Sequence, residues 1–200
     1  MEKLKGAAVC AMLALVFGMV LHVCMASRSE CATAAVGCTA PDFELKTAAS
    51  HAPVRVSDLR GKPLVLVFGS TSCSYMQNSM LEVKDMFQAF SDKARFLIVY
   101  TKEAHPAGEK WGSPQPVTHV PQAVTMDQRD AAAAEFANHL EAPIPVVVDT
   151  MDNRVSRRYD TLPTKLLILD SSGKIAFIIG KSDSYAHGTA TAELRKLFNR

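Results

Sequence analysis

Hydrophobic and polar residues alternate along this chain in a way that changes period several times, and each change marks an element. "DFEL" and "PVRVSDL" flank a polar turn containing His51 and predict a short hairpin. "PLVLVF", residues 63–68, is an unbroken apolar run rich in Val and Leu, as expected of a strand covered on both faces. Met76, Met80, Val83, Phe87 and Phe90 follow at spacings of 4, 3, 4 and 3, the apolar stripe of a helix. "RFLIVYT" predicts a second buried strand. Thr125 and Gln128 form a capping-box pattern at the head of a second helix, "MDQRDAAAAEFANHL". "IPVVVD" predicts a third strand and a shorter helix through Val155 and Tyr159 follows it. "TKLLILD", the turn "SSGK" and "IAFIIG" predict another hairpin, closed by a last helix ending near Phe198. Strands alternating with helices and ending in an antiparallel hairpin imply an α/β layered domain with a mixed central sheet flanked by helices.

The N-terminus departs from this pattern. After Lys3 and Lys5, residues 6–26 carry no charge and show no amphipathic face, and the polar "SRSE" follows. The segment lies between a long secretory signal and a minimal membrane-spanning helix, which needs roughly 20 apolar residues. Both readings export the remainder and leave the basic end in the cytoplasm: a membrane anchor facing the extracytoplasmic side if retained, a periplasmic or secreted protein if cleaved. The expected organisation is therefore a signal or anchor at 1–26, a linker at 27–40 and the α/β domain at 41–200.

Composition narrows the chemistry. With 48% hydrophobic residues, the 200-residue chain can build a real core. Its net charge is only +2, with basic residues scattered apart from the Arg157, Arg158 pair, so no phosphate-tracking surface is expected and nucleic acid is excluded as a partner. His51, His119, His139 and His187 have no ligand spacing among them, and one thiol is no metal site, so no metal is expected. Export leaves three cysteines, Cys31, Cys38 and Cys73, an odd number. Cys31 and Cys38 either pair with each other, or one of them serves as a resolving thiol for Cys73, or both are idle linker residues.

Cys73 is the focus. It falls between the strand at 63–68 and the helix stripe that begins at Met76, so it lies at the C-terminal end of a central strand and at the head of a helix. Open sheets place their chemistry there. Helix-head N–H groups and the positive end of the dipole favour a thiolate over a thiol. The polar neighbours Ser70, Thr71, Ser72 and Ser74 suit an exposed, hydrogen-bonded sulfur. A second cysteine three residues later would make a dithiol motif, but that position is Met76.

"APDFEL", "VSDLRGKPLVLVFGSTSC" and "TLPTKLLILDSSGKIAF" together resemble the exported redoxin branch of the thioredoxin fold over nearly all of residues 40–200. The resemblance implies that Pro163 is a cis proline facing Cys73. A narrower resemblance is to the iodothyronine deiodinases. "FGSTSC" matches the family's "Phe-Gly-Ser-Cys-Thr-selenocysteine" setting, with Cys73 at the selenocysteine position. "FLIVYTKEAHPAGEKW" is similar to the family's strand ending in Glu-Ala-His with a tryptophan six residues later, and "PVVVDTMDNRVSRRY" continues the match. By this likeness Cys73, Glu103 and His105 would be catalytic: His105 would donate a proton to a leaving group and Glu103 would set its tautomer. Ser70, Thr71, Trp111, Pro163 and Lys165 would bind substrate.

The chain also departs from the family pattern. Thr71 replaces a cysteine, Ser74 a proline and Ala123 a histidine. Lys165 stands where an arginine grips the substrate carboxylate, keeping the charge without the bidentate fork. The resemblance implies reductive dehalogenation by the Cys73 thiolate, with an external thiol such as a dithiol protein or glutathione as reductant and no bound cofactor. The natural substrate and a homodimer are left open. Two alternatives stand beside it. One is a single-cysteine thiol oxidoreductase or peroxidase acting on disulfides or peroxide, although the peroxidase positions for proline and threonine hold Leu66 and Ser70. The other is a membrane-tethered binding module of the same fold.

Overall fold

The computed structural model describes residues 31, 33–108, 120–180 and 186–199. All of them belong to one compact unit, Cys31–Arg200. Among the described residues no helix is long and apolar enough to cross a membrane, and the uncharged segment 6–26 lies outside them.

Seven strands form one mixed sheet: β1 (Glu44–Thr47), β2 (Pro53–Arg55), β3 (Leu64–Gly69), β4 (Arg95–Tyr100), β5 (Val146–Val148), β6 (Lys165–Leu169) and β7 (Ile175–Gly180), in the order β2-β1-β5-β4-β3-β6-β7. β3, β4 and β5 are parallel, while β1, β2, β6 and β7 pair antiparallel with their neighbours. The helices are α1 (Ser74–Phe90), α2 (Met126–His139), α3 (Arg154–Arg158) and α4 (Thr189–Phe198). The hairpin expected at the start is present, except that "VSDL" turns into a short 3-10 helix, Val56–Leu59, instead of extending β2. Asp42 explains this locally: its carboxylate accepts from the Ser57 backbone N–H at 3.1 Å and from the Ser57 hydroxyl at 3.1 Å, which curls the chain.

β3 is buried along its whole length, as its apolar run demands. Alternation sorts its side chains to two faces. Val65 and Val67 join Ile98, Val146 and Ile168 beneath α1, α2 and α4, where Met76, Met80, Val83 and Met86 supply the α1 stripe. Leu64, Leu66 and Phe68 join Leu97, Val147 and Leu167 on the other face, against Phe43, Val155 and Tyr159. The capping box heads α2 as expected: Gln128 N donates to Thr125 Oγ1 at 3.3 Å, while Gln128 Oε1 accepts from Val124 N at 2.8 Å, one residue ahead of the cap.

The stretch expected to be linker is partly built into the domain. Ala34 and Ala40 are buried, and Thr39 bridges Lys174 in antiparallel fashion. Gly37 N donates to Ile175 O, and Ile175 N to Cys38 O, both at 2.8 Å. Cys31 and Cys38 are joined in a disulfide. The register puts this disulfide at the far end of the sheet from Cys73. Ile175 pairs with Leu169, Leu169 with Leu64, and β3 then runs from Leu64 towards Cys73. From Leu64 to Phe68 alone is about 13 Å at roughly 3.3 Å per residue. A resolving role for Cys31 or Cys38 towards Cys73 in the same chain is thus contradicted by the fold: backbone ladders hold that segment at the opposite edge of the domain.

Candidate active site

Cys73 is the N-cap residue of α1, in extended conformation with φ −91° and ψ 111°. β3 delivers it: the parallel register ends at Gly69 opposite Tyr100, and both strands finish at the same edge. Ser70, Thr71 and Ser72 cross from the strand to the helix, with Cys73 N donating to Ser70 O at 3.2 Å and Gln77 N to Cys73 O at 3.0 Å. Cys73 therefore stands at the head of a 17-residue helix, the end that carries the positive pole of the helix dipole.

The expectation of an exposed sulfur is corrected. Cys73 is 1% exposed and packs in the cluster of Val65, Val67 and Met76. Two of the serines read as a polar surround for it, Ser70 and Ser72, face the protein instead. Ser70 and Ser72 are fully buried. Ser70 Oγ accepts from Ala104 N at 3.1 Å and Ser72 Oγ from His105 N at 2.9 Å. Ser70, expected to touch substrate, is thus an anchor of the loop after β4. Two buried hydroxyls on one loop satisfy two backbone donors on the next, because buried N–H groups need partners.

Glu103 is 5% exposed and engaged on both oxygens. Oε2 accepts from Ser72 N at 2.8 Å, and Oε1 from the Tyr100 hydroxyl in a very short contact. The Tyr100 hydroxyl also lies 3.0 Å from Thr71 Oγ1. Glu103 therefore holds the residue just before Cys73, and Thr71, expected to bind substrate, is the outer member of a Thr71–Tyr100–Glu103 chain. Burial, and after it the charge of Glu103, raises the Tyr100 pKa above the ordinary tyrosine value. The phenol stays protonated and donates. His105 is half-buried and follows Glu103 by two residues, brought to Ser72 by its backbone N–H.

β6 supplies the opposite wall. The Leu162–Pro163 peptide bond is cis, and Thr164 Oγ1 donates to Phe68 O at 2.8 Å, so this turn is tied to the end of β3. Lys165 is paired: Nζ lies 3.6 Å from Asp160 Oδ2 and donates to Tyr159 O at 3.4 Å. Tyr75 and Leu162, 40% and 37% exposed, are large apolar side chains on the two segments that meet at this edge. Trp111 lies outside the described residues. Among the described residues no group of three His, Cys, Asp or Glu could hold a metal.

Sequence reading missed Tyr100 and Arg129. Tyr100 sits at the end of an otherwise aliphatic strand, three residues before Glu103, and that placement was the available signal. Arg129 lies in the first turns of α2 and is 2% exposed, where the helix pattern suggests solvent.

Solved structures with the same architecture include a putative protein disulfide isomerase from Bacteroides thetaiotaomicron (TM-score 0.62, 17% identity, covering 84% of this chain and 92% of that one). They also include a putative thioredoxin from Neisseria meningitidis (TM-score 0.57, 16% identity, 80% and 90% covered). These likenesses establish the thioredoxin-like fold. Among curated proteins, the type I iodothyronine deiodinase of Xenopus laevis is 38% identical over 117 residues, 58% of this chain and 44% of that protein. The thyroxine 5-deiodinase of Gallus gallus is 30% identical over 165 residues, 82% of this chain and 62% of that protein. The chain thus spans about half the length of the curated relatives it matches. The model of the iodothyronine deiodinase family matches residues 6–200, and the chain belongs to that family.

Proposed function

We propose that this protein is a thiol-dependent reductive dehalogenase in which the Cys73 sulfur attacks the halogen of an activated aromatic ring. One observation carries the reading: Cys73 caps α1 at the end of a central parallel strand, and its loop is bonded to the segment bearing Glu103 and His105. The helix head stabilises negative charge on sulfur, and burial keeps water from the reacting pair. Tyr75 and Leu162 offer apolar surface to a ring at the same edge.

In the first step the Cys73 thiolate forms a sulfur–halogen bond as the carbon–halogen bond breaks. The electron pair stays on the ring carbon, which takes a proton from His105, leaving the halogen-free arene and a sulfenyl halide on Cys73. An external thiol then displaces halide, giving a mixed disulfide and a proton, and a second thiol releases the external disulfide and regenerates Cys73. The balance is one arene–halogen plus two thiols giving one arene–hydrogen, hydrogen halide and one disulfide. Met76 at the third position after Cys73, Thr71 at the second before it, and a disulfide at the opposite end of the sheet all favour a reductant from outside the domain. No bound cofactor enters the cycle. Residues 6–26 would carry the domain across a membrane, as an anchor or a cleaved signal.

The test is iodide release from iodothyronines and simpler iodophenols by the full chain with excess dithiol, beside Cys73→Ser. Release that needs Cys73 is expected. A folded wild-type chain that releases no more iodide than Cys73→Ser would overturn the proposal for these substrates and leave general thiol–disulfide chemistry as the reading.

A further inference from the structure

Arg129 is a buried charged residue that the cycle above does not use. Among the described residues, all three of its side-chain hydrogen bonds leave from one nitrogen: Nη1 donates to Thr150 O at 2.7 Å, Asn153 Oδ1 at 3.0 Å and Asp149 O at 3.3 Å. Its Nε is buried with no hydrogen-bond partner among the described residues. The Asp149 carboxylate is committed elsewhere, accepting from Thr150 N, Val155 N, Ser156 N and the Ser156 hydroxyl at the head of α3. A guanidinium that is 2% exposed and incompletely bonded is an expensive way to brace a helix. An apolar side chain of similar volume often does as well.

The surroundings indicate what the charge is for. Asp149 N donates to Tyr100 O at 2.9 Å, so the corner that Arg129 clamps is bonded to the backbone of Tyr100. Phe136, on the same helix as Arg129, packs its ring 5.6 Å from that of Tyr100. One helix thus holds both the main chain and the ring of the residue whose hydroxyl meets Glu103 and Thr71. Burial lowers the Arg129 pKa from its ordinary value, while the Asp149 carboxylate, and after it Glu103, pull the other way.

We infer that Arg129 is a positioning residue for the Cys73 site: its buried cation clamps the β5–α3 corner and so holds Tyr100, and through it Glu103, in place against Ser72. This rests on the thiolate chemistry proposed above. The ammonium of lysine, a single nitrogen with three donors, can copy the Nη1 pattern and keep the charge, whereas glutamine keeps donors and loses the charge.

The experiment compares full-length wild type, Arg129→Lys and Arg129→Gln. Two quantities are read: kcat and KM for iodide release, and the rate at which iodoacetamide alkylates Cys73 at neutral pH, with Cys73→Ser subtracting other thiols. Near-UV circular dichroism identifies the folded fraction. Per folded molecule, Arg129→Gln is expected to lower kcat at least tenfold with KM within twofold and to slow alkylation in parallel, and Arg129→Lys to restore most of both. Equal kcat and alkylation for Arg129→Gln and wild type would overturn the inference, leaving Arg129 a structural brace. So would an Arg129→Lys variant no better than Arg129→Gln. If wild type releases no iodide, the dehalogenase reading fails separately and the alkylation rates still decide the role of Arg129.

Discussion

Met76 occupies the space that a side chain on Gly69 would need: a Cβ at Gly69 would lie 2.7 Å from Met76 Sδ and 2.9 Å from its Cγ. The last residue of β3 and the first buried turn of α1 are therefore packed backbone against side chain, directly behind Cys73. Gly69→Ala should destabilise the protein by about 1–3 kcal/mol through overpacking. For a domain of this size that is roughly 2–12 °C in Tm by thermal denaturation. Trimming the thioether in Gly69→Ala with Met76→Ala should make the two substitutions clearly non-additive. An unchanged Tm for Gly69→Ala would mean that the contact yields freely.

Tyr100→Phe removes the hydroxyl shared by Glu103 and Thr71 and leaves a buried carboxylate oxygen without its donor. The cost to stability should be about 1–3 kcal/mol, and turnover should fall about 10- to 100-fold by the logic of lost preorganisation. The folded Tyr100 pKa is raised by burial, then by the Glu103 charge. Its stabilising contribution is therefore complete below the unfolded value of about 10 and is lost as pH rises from there towards the folded value. Urea unfolding between pH 8 and 11 should show wild type losing stability on the alkaline side more steeply than Tyr100→Phe.

Replacing both Cys31 and Cys38 by serine should leave iodide release per folded molecule unchanged, since the disulfide sits at the other end of the sheet. Closing a loop with a sequence separation of 7 stabilises a chain by about 2–3 kcal/mol in the loop-entropy account. Chemical denaturation should read a loss of that order. Loss of turnover without loss of fold would bring the pair back into the electron path.

Asp170 governs the β6–β7 turn: its carboxylate accepts from Ser172 N, the Ser172 hydroxyl and Lys174 N at 2.7–2.9 Å. Burial opposes its ionisation, but the Ser172 hydroxyl and the N–H groups of the turn outweigh it and lower the pKa. The stability this supplies is present above the unfolded value of about 3.9 and disappears as pH falls through the folded one. Asp170→Asn should be less stable than wild type at pH 7, and the difference should narrow as pH falls below the unfolded value of about 3.9, as acid titration followed by far-UV circular dichroism can read.

By itself, the sequence determined the layered α/β architecture, the strand runs buried on both faces, the α1 stripe, the Thr125 cap of α2 and the corner on which Cys73 sits. Those are local consequences of hydrophobic period and capping chemistry, which act over a few residues at a time. The deiodinase resemblance carried the eye to Glu103 and His105, residues that periodicity leaves as an ordinary strand end.

Only the tertiary structure decided what those residues do to one another. The parallel register that sets Gly69 beside Tyr100 brings Ser72 to Glu103 across 31 residues of chain and Ser70 to Ala104 across 34. It buried Cys73, turned the serine hydroxyls inward, and made Tyr100, read as one more core residue, the partner of Glu103. The reason is physical: a buried donor accepts whichever acceptor the register presents, and the hydrogen bonds that pair distant segments leave no periodic trace in either segment alone.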